Sequence, residues 1–247
     1  MERRGLRVWA VLAGAATIGM SVARAQEELV VPVYREPRHR QVFESGTTRI
    51  LDVQVHPGDT SLYHTHAEPI LYVNFGNTQL RTQVQGRDWS PPPQGRGGAA
   101  PARPAAPGLA VRVTSTTSYV EQPVTHRIQN VGTSFFHLIA VLNQTSGEDA
   151  TTPQANGFTG APEMANRWYR AYRFTLAPGE AVRHQHAVPS VAVQTTEGRA
   201  VGTASRTWGL NWATAWAFFD RNEAHELRNA GPAPVEFVEV EVRQPKS

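Results

Sequence analysis

The sequence predicts an all-β protein built as two similar halves. Short apolar runs alternate with polar neighbours at strand length, Pro, Gly and Asn separate them, and no long amphipathic helix is evident. One ordered set of histidine-bearing strings also occurs twice, about 100 to 120 residues apart.

The chain starts with a targeting pattern. Arg3, Arg4 and Arg7 precede an apolar run from Val8 to Met20, and Ala23-Arg24-Ala25 follows, so cleavage is expected before Gln26 and the mature protein is expected in the periplasm or outside the cell. The run is about 13 residues, against roughly 18 for a membrane span, so no stable span is expected. Arg3-Arg4 is a partial match to a twin-arginine signal. Residues 26–41 read as an N-terminal arm. The first strand pattern is Ile50 to Val55, where Leu51, Val53 and Val55 alternate with polar residues. Further β-type runs lie at 70–75, 109–113, 135–143, 169–176, 190–194 and 235–242. Residues 89–108, with Pro91-Pro92-Pro93 and alternating Gly, Ala and Pro, cannot form a central strand and read as an insertion at a barrel rim. The polar segment 144–166 separates the two repeating regions and reads as a linker between 42–143 and 167–243.

Composition narrows the partners. The 24 basic and 21 acidic residues include four arginines and one glutamate before Gln26, leaving 20 of each sign in the mature chain. Without a net field, nucleic acid is not an expected partner. There is no cysteine, which excludes disulfides, thiolate ligands and a thiol nucleophile and leaves chemistry to His, carboxylates and hydroxyls.

The repeat supplies the candidate site. Pro57-Gly58 is followed by His64-Thr65-His66-Ala67-Glu68-Pro69, and Pro178-Gly179 by His184-Gln185-His186-Ala187-Val188-Pro189. Later, His126 and His225 each open a His-x-x-x-Asn-x-Gly string. Residues two apart on a strand share a face, so His64 projects with His66 and His184 with His186. A third imidazole, His126 or His225, would complete a three-nitrogen face with open positions for water, oxygen or substrate.

These strings resemble the two motifs of the cupin superfamily over 42–143 and 167–243. The chain is thus similar to a bicupin, and the resemblance implies two tandem double-stranded β-helix, or jelly-roll, barrels. It also implies that His64, His66 and His126 hold one divalent metal ion and His184, His186 and His225 another, and that a homodimer forms. The glutamate ligand of the family's first motif is missing from both halves, where Ile70, Leu71, Ser190 and Val191 stand. Glu68 shares strand parity with His64 and His66 and is the candidate for a displaced ligand or a catalytic base; Val188 replaces it in the second half.

Other residues read as structural. Asn130 and Asn229 are expected to satisfy backbone groups in the following turn. Trp208, Trp212 and Trp216, four apart, suit a helix face, and with Leu210 and Phe218 at the same parity suit a strand equally; the cupin resemblance favours a barrel strand, while Tyr63 and Tyr72 read as packing, and His39, His56 and His137 as surface or satisfied structural groups. An all-histidine face suits a non-haem dioxygenase acting on a small organic molecule, with Fe(II) favoured over Mn, Ni, Zn or Cu. The alternatives are a non-catalytic module binding a small ligand or metal, and a metal-dependent isomerase or epimerase, which needs a base.

Overall fold

The computed structural model describes residues 28–76, 78–91, 111–148 and 157–245. The expected signal segment 1–25, most of the 89–108 insertion and part of the 144–166 linker lie outside the described residues.

The first half contributes β1 (Val30–Pro32), β2 (His39–Glu44), β3 (Thr48–Val55), β4 (Tyr63–His66), β5 (Ile70–Asn74), β6 (Leu80–Val84), β7 (Arg112–Thr116), β8 (Val124–Asn130) and β9 (Phe136–Asn143). The second contributes β10 (Met164–Ala165), β11 (Tyr169–Leu176), β12 (Ala181–Gln185), β13 (Ser190–Gln194), β14 (Ala200–Thr203), β15 (Thr207–Leu210), β16 (Trp216–Phe219), β17 (Ala224–Asn229) and β18 (Val235–Val242). Each half forms two sheets. Their strand orders are β1-β4-β8-β6 and β2-β3-β9-β5-β7 in the first, and β12-β17-β14-β15 and β10-β11-β18-β13-β16 in the second. The chain is therefore all-β, as two tandem double-stranded barrels. Among the described residues no helix is long and apolar enough to cross a membrane.

The repeat is visible in the turns. In both His56-Pro57-Gly58-Asp59 and Ala177-Pro178-Gly179-Glu180 the fourth residue's N–H donates to the first residue's carbonyl. Gly58 and Gly179 take φ of 84° and 79°, which a type II turn requires at its third position. Asn130 and Asn229 then clamp the end of each motif: Nδ2 of Asn130 donates to the Val55 and Ser134 carbonyls, and that of Asn229 to the Leu176 and Ala233 carbonyls.

Side-chain parity divides the core into three. Phe136, Leu138, Ala140 and Leu142 of β9 face the interior of the first barrel, and Val235 and Phe237 of β18 that of the second. The opposite faces, Ile139 and Val141 with Val238, Val240 and Val242, meet in a shared core between the barrels. Both strands are thus buried on two faces. Polar groups also cross the joint: the Tyr169 hydroxyl lies 2.7 Å from the Pro69 carbonyl and 2.9 Å from that of Val141, and Asn143 Nδ2 donates to the Arg243 carbonyl at 2.7 Å.

Three segments differ from the sequence reading, and the end of the expected linker is one, since Met164–Ala165 form β10 beside β11. The stretch expected as an arm joins the first barrel, because β1 pairs in parallel with β4 and β2 with β3. The tryptophan row is not one strand. Residues 211–215 turn between β15 and β16, with Thr214 at φ 79°, so Trp208 and Trp216 stand on different sheets with rings 5.4 Å apart while Trp212 is exposed.

Candidate metal centres

In the first barrel, β4 carries His64 and His66 on one face, and the β4–β8 register sets His126 directly opposite His64. Ring centroids of the three lie 4.7–5.1 Å apart, and one ligand atom from each falls within 4.8 Å of the others. Burial, reinforced by neighbouring imidazoles, lowers His64 to about 3, His66 to about 2 and His126 to about 4, so all three are neutral near pH 7. His64 Nδ1 donates to the Leu62 carbonyl at 3.0 Å, which fixes the tautomer that leaves Nε2 with a lone pair. The Nε2 atoms of His64 and His126 are buried without a hydrogen-bond partner. Orphaned acceptors that converge in this way fit a divalent ion.

His66 and His126 of the trio, with His39, border a cavity of about 270 Å³ whose other walls are mostly apolar side chains of β3, β5, β8 and β9. His39, read from the sequence as surface or structural, is buried, with its ring 4.2 Å from that of His64. Its Nδ1 donates to Glu36 at 2.6 Å. Glu36 is held in turn by the N–H groups of Arg38, His39 and Leu62; against the upward push of burial, the His39 imidazole first and then the Leu62 and Arg38 N–H groups keep its carboxyl below the usual range. Among sequence signals only the Glu-x-x-His spacing marked this pair, and it acquires meaning through the tight turn before β2.

Glu68 does not reach the trio. The chain leaves β4 after His66, and the carboxylate turns to Arg49, with Nη1 to Oε1 at 3.2 Å. Burial raises its carboxyl despite that pairing, but it faces a different depression, lined by β1 and Tyr34. The other histidines lie apart: His137 Nε2 meets Asp52 at 2.8 Å and His56 packs on Phe135.

In the second barrel, His184 and His225 are again directly opposed across β12 and β17, and His186 sits one residue past β12. Here the sequence missed a partner. Glu239 of β18 is fully buried and lies among all three imidazoles: His184 Nδ1 is 2.6 Å from Oε2, and His186 Nε2 and His225 Nε2 are 2.7 and 2.8 Å from Oε1. The Ser190 hydroxyl donates to the same Oε1 at 3.0 Å. His186 Nδ1 meets Glu241 at 3.0 Å, so two carboxylates overcome the effect of burial and raise this imidazole to about 9. Glu239 is held well below the usual range because the surrounding imidazoles outweigh its burial. Ten residues past Asn130 and Asn229 stand Ala140 and Glu239, so the signal available in the sequence was a carboxylate at an inward strand position that is apolar in the other half.

The second centre is also covered. Phe158 lays its ring 3.9 Å from His184 and 4.2 Å from Tyr172, and Phe219 stacks on His225 at 3.7 Å. Three nitrogens and a carboxylate within 4.8 Å of one another have the donor chemistry for a divalent ion, and the second barrel encloses them.

No family model and no curated protein matches this chain. Among solved structures, AerE from Microcystis aeruginosa superposes with a TM-score of 0.56 at 10% identity, over 82% of this chain and 90% of that one. An oxalate decarboxylase from Lactobacillus farciminis gives 0.49 at 13% identity, over 82% and 78%. A cupin 2 conserved barrel domain protein from Leptotrichia buccalis gives 0.45 at 9% identity, over 83% and 88%. At these identities the likeness is one of fold.

Proposed function

We propose, taking the bicupin fold of this chain as premise, that the first barrel is the working centre of an exported metal-dependent enzyme that acts on a small organic molecule, as a non-haem dioxygenase. The observation that carries this reading is the pair of unpartnered, buried Nε2 atoms of His64 and His126, in a trio whose His66 and His126 line a largely apolar cavity. Export rests on the arginine-led apolar segment that ends at Ala25.

His64, His66 and His126 would hold the ion, with Fe(II) favoured for three neutral nitrogen ligands. When bound, such an ion supplies Lewis acidity and, for iron, electrons for dioxygen chemistry. The protein's own part is positional. Leu62 fixes the His64 tautomer, Tyr119 stacks on His66 at 4.7 Å, and the apolar walls exclude water from the bound organic molecule. His184, His186, His225 and Glu239 would hold a second ion; Phe158 and Phe219 pack on that set, of which His184 alone reaches the wall of a cavity of about 370 Å³ beside Phe158, Tyr172 and Phe174. Glu68 has no part in either centre.

Elemental analysis of the mature protein tests the assignment. Two equivalents of transition metal are expected per chain, falling to one in His126→Ala and to one in His225→Ala, and oxygen uptake with a panel of phenols and diketones should disappear only in His126→Ala. A chain that retains full metal in His126→Ala, or takes up no oxygen with any member of the panel, refutes the enzyme reading; a loaded chain that binds panel members without turnover is the non-catalytic module.

A further inference from the structure

The walls of the first-barrel cavity define a charge class for whatever occupies it. Besides His39, His66 and His126, the lining consists of seven apolar side chains and the neutral polar groups of Tyr72, Asn74 and Thr114. No Arg, Lys, Asp or Glu is among these residues. Burial drives the Tyr72 hydroxyl well above its ordinary value, so it stays a neutral group. Asn74 Oδ1 already accepts the Gly76 N–H. The nearest carboxylate behind the wall, Glu36, is occupied by His39 Nδ1 and three backbone N–H groups.

The contrast with the second barrel sharpens this. Where β18 directs Glu239 and Glu241 inward, β9 directs Ala140 and Leu142. No carboxylate on β9 therefore faces the first trio, and Glu36, which has a ligand atom within 4.8 Å of one on His64, is already held by His39 and three backbone N–H groups. An ion held by three neutral imidazoles keeps its full charge and attracts an anionic oxygen donor, while a charge anywhere else on the same molecule would be buried against apolar walls without a partner.

We infer that the first-barrel site takes a compact organic molecule with an acidic oxygen chelate at one end, an enol or a phenol pair, and an uncharged, apolar body at the other. This rests on the proposed metal centre and adds the substrate's charge pattern to it. The cavity of about 270 Å³ suits a single ring or its aliphatic equivalent. A molecule with a free carboxylate at its far end is the wrong match.

The test uses two probes with the same chelating head. Metal-loaded protein is titrated calorimetrically without oxygen, once with 4-methylcatechol and once with 3,4-dihydroxybenzoate, which differ at the end away from the ion. The methyl compound is expected to bind at least about tenfold more tightly, the factor an unpaired buried charge readily supplies. Thr114→Lys, on the outer strand β7 of its sheet, places an ammonium in the wall and should reverse the order. Equal or tighter binding of the benzoate by the wild type overturns the inference, as does failure of both probes to bind a chain shown to contain metal. A chain without metal in the first barrel overturns the underlying reading, and the inference with it.

Discussion

Glu239→Gln tests whether one carboxylate organises the second barrel. Glu239 is fully buried and accepts from three imidazoles and the Ser190 hydroxyl at 2.6–3.0 Å. Glutamine keeps the shape but removes the charge, and its NH2 group then faces ring N–H groups that cannot accept. Breaking a buried ion pair on one side costs about 3–5 kcal/mol. For a chain of this size each kcal/mol moves the midpoint by about 2–4 °C, so the metal-stripped variant should melt about 6–20 °C lower. Scanning calorimetry after chelation measures this directly. The control is Glu236→Gln on the same strand, whose carboxylate meets Arg173 at the partly exposed surface, where the expected loss is about 1 kcal/mol or less. A shift under about 2 °C for Glu239→Gln, or equal shifts for both variants, would refute the central role of this group.

Further outcomes follow from the same geometry. The metal-stripped protein should be most stable near pH 6.5. His64, His66 and His126 are lowered, so stability is full above the ordinary value of 6.5 and lost as pH falls toward their folded values, by up to about 1.4 kcal/mol per unit for each. His186 is raised to about 9, so its contribution is full below 6.5 and lost as pH rises through 9. Denaturant melts from pH 5 to 9 should therefore fall more steeply on the acid side, and a flat profile would contradict the assignment. Tyr169→Phe removes the hydroxyl that reaches two carbonyls across the barrel joint and should cost about 1–3 kcal/mol in the same melts; no loss would mean that the apolar joint alone joins the barrels.

Much of the architecture was legible because its pattern is local. The runs read at 169–176, 190–194 and 235–242 coincide with β11, β13 and β18, since alternating or continuous apolar residues at strand length bounded by Pro and Gly leave few other folds. β1 and β2 escaped notice because one contains a proline and the other is mostly polar; they are paired only through partners distant in sequence. The tryptophan row misled because parity can continue through a turn by coincidence, and the positive φ of Thr214 has no sequence signature comparable to glycine. The histidine trios come together in space because each depends on a pair two residues apart and on a cross-strand register that the repeat preserved.

The missing carboxylate shows why strand parity alone was insufficient. In Val238-Glu239-Val240-Glu241-Val242 the alternation suggests valines inward and glutamates in water. That holds for a sheet with one wet face. β18 lies instead between two apolar layers: its valines fill the joint between barrels, and its glutamates point into the second barrel, where imidazoles and Arg170 are their counter-charges. Burial of the pair is tolerable only because those partners are already there. In the first barrel Ala140 and Leu142 hold the same positions, so its three imidazoles remain neutral and the Nε2 atoms of His64 and His126 stay unanswered. One alternation on one strand therefore separates a charge-balanced centre from one whose donors lack a carboxylate on the matching strand, which is the reason the proposed chemistry is assigned to the first barrel.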